Sequence, residues 1–390
     1  MMFTIAARRL LSGDTVVDYP LVHVQDGRIA GVESASAAEF ERLRGADGIF
    51  HFGEGTLVPA YLDIHTHGCA GHDVMEATSA ALHTIGAFLA RRGVGAYLPT
   101  TVTSTREETL RALSGLAREI RLWQSEDFVA ATPLGIHLEG PFLSCAKRGV
   151  HRADLLEAPS IPLFTQFWEA AEGQIRLMTI APELPGAAEL IAHATSLGVR
   201  SSLGHSDATA AEAASGVQAG ACSATHTFNA MRAIGHREPG LAAYVLDQPT
   251  LFAELICDGI HVDPLMVRLF LKAKGPDRIM LVTDSMSATG MPDGEYMLGG
   301  MPVEVRDGRC SANGVLAGSV LTLERAVRNF VAFTGSTLGV AVGAATANPA
   351  RLLGLSGEQG ELAGGRAANI AVLAPDGTIL QTFLHGRPAT

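Results

Sequence analysis

Cysteine is scarce and scattered: Cys69, Cys145, Cys222, Cys257 and Cys310 are the five in a chain of 390 residues. The count is odd and no two are spaced CxxC. That excludes a disulfide framework and a thiolate zinc site, and points to reduced thiols in a cytoplasm. No apolar run reaches the roughly 18 residues that span a bilayer. The opening MMFTIAARRLLSGDT lacks the apolar stretch and small-residue cleavage site of a signal peptide, and the paired Met1 and Met2 leave the start codon open. Charged residues make up only 18% of the chain against 47% hydrophobic, which excludes disorder and supplies a large core. Positive charge is in deficit. A formal net charge of −11 argues against a nucleic-acid or anionic-membrane partner, and an anionic substrate would need its positive contacts concentrated at one spot. No GxGxxG or GxxxxGK[ST] follows a strand, which weakens a nucleotide-binding reading.

What the chain has in quantity is glycine, 43 residues, as expected where many short turns join strands to helices. Residues 21–33 (LVHVQDGRIAGVE) read as a hairpin turning at Asp26-Gly27, and residues 369–383 (NIAVLAPDGTILQTF) repeat the device at Asp376-Gly377. Both ends are therefore expected to pair into one small β domain, residues 1–56 with 356–390. Between them, apolar runs ending in polar residues or glycine recur at 57–65, 94–100, 132–139, 175–181, 199–205, 221–226, 251–258 and 278–284. Helical patterns separate most of them. Thr105 with Glu108 spells a capping box ahead of Leu110, Leu113, Leu116 and Ile120, and residues 79–92 place Leu82, Ile85 and Leu89 on one face before Gly93. Eight alternations over residues 57–355 predict a closed (β/α)8 barrel, an α/β fold, in preference to an open doubly wound sheet. The Gly-rich, alternating text of 291–318 reads as a hairpin insertion after the eighth strand.

Five of the eight strands finish on a metal-competent side chain. The first ends LDIHTHG, where His65 and His67 share a face because alternate strand residues do. The third ends GIHLEGPF, with Glu139 at its tip and His137 as a supporting histidine; the fifth, sixth and eighth reach His205, His226 and Asp284. Alone, each would read as an ordinary polar strand end, and HxH is a weak signal. Together, at the carboxyl ends of barrel strands, they read as a catalytic metal site. Nitrogen and carboxylate donors without thiolate suit zinc, or less selectively ferrous iron, manganese or cobalt. Such an ion lowers the pKa of bound water to about 7. Asp284, opposite the HxH strand by chain order, is the candidate proton shuttle.

The set LDIHTHG, HLEGPF, LGHSDA, THTFNAM, CDGIH, TDSMSATG and NPARLLG, in this order over nearly the whole chain, resembles the N-acetylglucosamine-6-phosphate deacetylases of the amidohydrolase superfamily. HLEGPF and THTFNAM are far more specific than HxH. The resemblance implies a barrel with a small β-sandwich built from both ends, and hydrolysis of an N-acetylated amino-sugar phosphate to the free amine and acetate in amino-sugar and cell-wall recycling. It implies that Glu139, His205 and His226 hold the main metal, that Asp284 is general base and acid, and that His151 polarises the acetyl carbonyl. It further implies phosphate contacts from Asn229, the Ala230 backbone, Arg237 and His261, with a homodimer completing that site. Retention of His65 and His67 allows a second ion, bridged by Glu139. Ala60 stands where glycine is common, a change expected to affect packing only. The fourth strand ends TIAPE without a lysine to carbamylate, which argues against the dihydroorotase- and urease-like branch. Two other readings remain: a deaminase or cyclic-amide hydrolase on the same barrel, which has no reason to carry Asn229, Arg237 and His261, and a silent barrel turned binding protein, which would have lost ligands. The native metal, the metal count and the tolerance for other N-acetylhexosamine phosphates are left open.

Overall fold

A computed structural model of the chain describes residues 2–123 and 128–389; Met1 lies outside them. Eight strands form a parallel barrel: β1 (Tyr61–Thr66), β2 (Val94–Thr101), β3 (Ile136–Glu139), β4 (Ile175–Ile180), β5 (Arg200–Leu203), β6 (Ser223–Ala224), β7 (Phe252–Ile256) and β8 (Ile279–Val282). Neighbours in sequence pair in parallel from β1 to β8. The barrel closes where Asp284 N donates to His65 O (2.9 Å) and His67 N donates to Ser285 O (2.7 Å). Asp63, fully buried on β1, ties the same seam by accepting from Thr283 Oγ1 at 2.7 Å. A helix follows each strand. The first two, Ser79–Arg91 and Arg106–Trp123, bury Leu82, Ile85 and Leu89, and Leu113, Leu116 and Ile120, on the expected faces, while Leu110 is only half buried.

Three expectations need adjusting. The apolar run 57–65 is two strands: Thr56–Pro59 leaves the barrel to join a sheet of the chain ends, and Tyr61–Thr66 is β1. Asp284 is opposite the HxH strand only in chain order, because closure makes β8 the neighbour of β1. Residues 291–318 hold not one hairpin but a four-stranded antiparallel meander, Gly294–Leu298, Met301–Arg306, Arg309–Ala312 and Val315–Leu316. Its three turns, Gly299-Gly300, Asp307-Gly308 and Asn313-Gly314, all have both residues at positive φ, the geometry that joins twisted antiparallel strands through two residues.

The chain ends build two sheets. One is ordered Arg28–Ser34, Pro20–Gln25, Met2–Ala6, Ile49–His51; the other runs Arg387–Pro388, Ile379–Leu384, Ile370–Leu373, Thr56–Pro59, Arg9–Ser12, Thr15–Asp18. Phe3, Ile5, Val22 and Val24 of the first pack against Leu57, Ile370, Val372 and Phe383 of the second, with Phe50 edge-on to Phe383 at 5.2 Å. This is a sandwich with its own core, beside the much larger core between barrel and helices.

Candidate metal centre

The candidate ligands sit where strands stop. His205, His226 and Asp284 each lie two residues past β5, β6 and β8, with φ of 47°, 27° and 50°. Non-glycine residues rarely adopt this left-handed region, and when they do the surrounding structure must impose it. The turn ends the ladder and aims each side chain over the barrel mouth. Glu139 ends β3 itself.

Glu139 is the centre of the arrangement. Its Oε1 is 3.3 Å from both His205 Nε2 and His226 Nε2, and those two nitrogens are 3.0 Å apart. Its Oε2 faces the other way, 3.1 Å from His67 Nε2 and 3.4 Å from His65 Nε2. Asp284 Oδ1 completes that second group at 3.1 Å from His67 Nε2 and 3.6 Å from His65 Nε2. His65, His67 and Asp284 offer donor atoms within 4.8 Å of one another, as do Glu139, His151 and His205. Glu139 Oε1 and His65 Nε2 are buried inside the cluster without a hydrogen-bond partner, a costly state for polar atoms unless something else binds them.

Four rings are held from behind at Nδ1. His65 Nδ1 meets Glu254 Oε2 (2.9 Å), His67 Nδ1 meets Thr100 O (3.0 Å), His205 Nδ1 meets Lys147 O (3.0 Å) and His151 Nδ1 meets Thr103 Oγ1 (2.8 Å). The first three face a carboxylate or carbonyl acceptor and so donate from Nδ1, which makes Nε2 the nitrogen that would bind an ion in exchange for any proton it carries, the arrangement that metal-binding histidines use. Gly140, at φ 85°, lets Thr103 close on this loop; a Cβ there would collide with Thr103 Oγ1.

The electrostatics couple buried carboxylates to buried imidazoles. Burial would raise the Glu139 carboxyl, but His65, His205 and His226 hold it well below the usual carboxylate range. Burial likewise works against ionised Asp284, and His65 and His67 outweigh it, bringing it down to about 2. Burial would keep His67 neutral; Asp284 and Glu139 instead push it up to about 9, and His65 rises well above its ordinary value for the same kind of reason. His151 is driven down to about 3 by burial and by His205, and His137 falls well below its ordinary value through burial and His65. Protons on His65 and His67 thus balance the buried carboxylates where a divalent ion could. The donor set fits such an ion: imidazole and carboxylate, no thiolate.

A cavity of about 290 Å³ opens over this cluster. His67, Glu139, His151, His205, His226 and Asp284 form its floor, and Asn229, Ala230 and His261 lie in its wall. Asn229 Nδ2 donates to His226 O (3.2 Å). His261 is clamped by Asp258, Nδ1 to Oδ2 at 2.7 Å. Val102, Leu298 and Leu316 give an apolar side, two of them from the meander. Every residue singled out in the sequence for this site is brought together except Arg237, which is exposed on the loop after Met231 and outside the cavity lining. Among the described residues the Arg237 side chain makes no ion pair. Sequence reasoning missed Glu254, Thr103 and Lys147. Glu254 had a signal, a carboxylate within the otherwise apolar strand FAELI.

Comparison with known proteins follows the same lines. The profile of the amidohydrolase family matches residues 56–389. The chain is 36% identical over 391 residues to N-acetylgalactosamine-6-phosphate deacetylase of Escherichia coli O157:H7, covering 100% of both. It is 33% identical over 385 residues to N-acetylglucosamine-6-phosphate deacetylase of Bacillus subtilis (strain 168), covering 97% of this chain and 95% of that protein. Among solved structures, an aspartate-to-alanine mutant of N-acetyl-D-glucosamine-6-phosphate deacetylase from Mycobacterium smegmatis, in complex with N-acetyl-D-glucosamine 6-phosphate, superposes with a TM-score of 0.92. Its sequence identity is 33%, with 100% of this chain and 99% of that chain covered.

Proposed function

The chain belongs to the amidohydrolase family, and from that premise we propose that it is the metal-dependent deacetylase of N-acetyl-D-glucosamine 6-phosphate, releasing acetate and D-glucosamine 6-phosphate in amino-sugar catabolism and cell-wall recycling. The observation that carries this reading is Glu139, set between the imidazoles of His205 and His226 on one side and those of His65 and His67 with Asp284 on the other.

Glu139, His205 and His226 would hold the main divalent ion, zinc by the chemistry of the donors, with ferrous iron, manganese or cobalt as fits for the same set. His65 and His67 would hold a second, beside the other oxygen of Glu139. When bound, such an ion supplies a water with a pKa near 7 and a Lewis acid for the amide carbonyl. Asp284, kept ionised by His65 and His67, takes a proton from the attacking water and returns it to the leaving amine nitrogen. His151, neutral and anchored on Thr103, directs Nε2–H at the acetyl carbonyl oxygen. Asn229, the Ala230 backbone and His261 meet the phosphate.

A homodimer accounts for Arg237. Its loop also exposes Ile234, and helix Pro264–Lys274 exposes Leu265 and Leu269, apolar side chains that a second subunit would cover while receiving Arg237 at its phosphate. A cytoplasmic location agrees with five unpaired cysteines and with the absence, among the described residues, of any helix long and apolar enough to cross a membrane.

The test is acetate release from N-acetyl-D-glucosamine 6-phosphate by metal-loaded protein, abolished by chelator and reduced about 10²–10⁴-fold in Asp284→Asn. Normal binding of the sugar phosphate without acetate release would overturn the assignment. A second reading, the C4 epimer N-acetyl-D-galactosamine 6-phosphate, is favoured by the E. coli relative; kcat/KM on the two epimers decides between them.

A further inference from the structure

The cavity wall contains a single lysine or arginine among the described residues, and it is Lys147. Its main chain is fixed. Lys147 N donates to Ser144 O (3.0 Å), and its carbonyl oxygen accepts from His205 Nδ1 (3.0 Å), so the residue is registered against a metal-ligating ring. Its ammonium is poorly committed. The nearest carboxylate is Asp207 at 3.7 Å, beyond hydrogen-bonding distance, and Arg232 already holds that group at 3.1 Å. Arg237, the cation expected from the sequence, stands outside this cavity.

A phosphate ester entering here meets Glu139 and Asp284 in the floor of a protein with net charge −11. It needs a cation at hand before any second subunit contributes one. Resting on the sugar-phosphate reading above, we propose that Lys147 is the substrate-phosphate cation supplied by the same subunit, swinging from the rim near Asp207 to the phosphate oxygens. An ammonium on a flexible four-carbon stem suits this task, being a compact point charge that need not be preset in a fork. The sequence could not single it out, because the AKRG stretch reads as an ordinary basic turn.

Steady-state kinetics of the metal-loaded enzyme on N-acetyl-D-glucosamine with and without its 6-phosphate test the idea, using Lys147→Met and Lys147→Arg. Lys147→Met should raise KM for the phosphorylated sugar about tenfold or more, with kcat and metal content little changed. It should weaken inhibition by D-glucosamine 6-phosphate in parallel and affect the unphosphorylated sugar far less. Lys147→Arg should recover most of the loss. Equal losses on both sugars would assign the side chain a structural role through the His205 loop and overturn the proposal. An unchanged KM in Lys147→Met, with wild type still preferring the phosphorylated sugar, would overturn it while leaving the deacetylase reading intact. Wild type indifferent to the phosphate would refute that reading and the proposal together.

Discussion

Replacing Glu254 tests how far the metal centre depends on a residue that touches neither metal nor substrate. Glu254 is fully buried on β7. Its Oε2 accepts from His65 Nδ1 at 2.9 Å and from the His226 backbone N at 3.1 Å, so one carboxylate oxygen steadies a candidate ligand residue from each donor group. The bond to Nδ1 fixes the His65 tautomer, and the negative charge makes its Nε2 a better donor. Loss of such an outer partner costs about 10–100-fold in metal affinity, or about 1.4–2.7 kcal/mol. Glu254→Gln keeps the volume and can still accept with its amide oxygen, so it should fall near the lower end. Glu254→Ala should reach the upper end, and should also destabilise the fold by about 1–3 kcal/mol by leaving the His226 N–H buried without an acceptor. Calorimetric titration of the metal-free protein with zinc, together with metal content after dialysis against a chelator, measures both. If Glu254→Gln binds zinc as tightly as wild type with an unaltered kcat, Glu254 does not tune His65, and the argument from its geometry fails.

Two further outcomes follow from the same geometry. In the metal-free protein His67 is pushed up to about 9 and His65 is raised as well, so both rings hold protons at pH 7 that an ion must displace. Metal uptake at pH 7 should release protons, and apparent affinity should climb up to about tenfold per pH unit for each proton displaced, levelling off above about pH 9; affinity flat between pH 7 and 9 would contradict this. Gly140→Ala places a side chain at φ 85° and against Thr103 Oγ1, which should cost about 1–3 kcal/mol and displace the Thr103 anchor of His151, lowering kcat alongside Tm; a variant with native Tm and kcat would remove the proposed link.

Local chemistry makes a large part of this protein legible. Alternate residues of a strand share a face, so LDIHTHG places His65 and His67 together before any fold is known. Two-residue glycine turns are equally local. Asp26-Gly27 announces its hairpin, and Asp307-Gly308 and Asn313-Gly314 carry the same kind of spelling, so the expectation of a single hairpin over 291–318 passes over information that the sequence does hold. Tertiary structure decided what local rules cannot reach. Closure of the barrel brings Asp284, from the end of the last strand, beside His65 and His67 at the end of the first. It sets the two oxygens of Glu139 towards different histidine pairs and delivers Glu254 from β7 to the back of His65. It also leaves Arg237 outside the cavity and Lys147 in its wall. A side chain's partners across a barrel depend on which strands become neighbours and on the space left between loops, and those are properties of the packed chain as a whole.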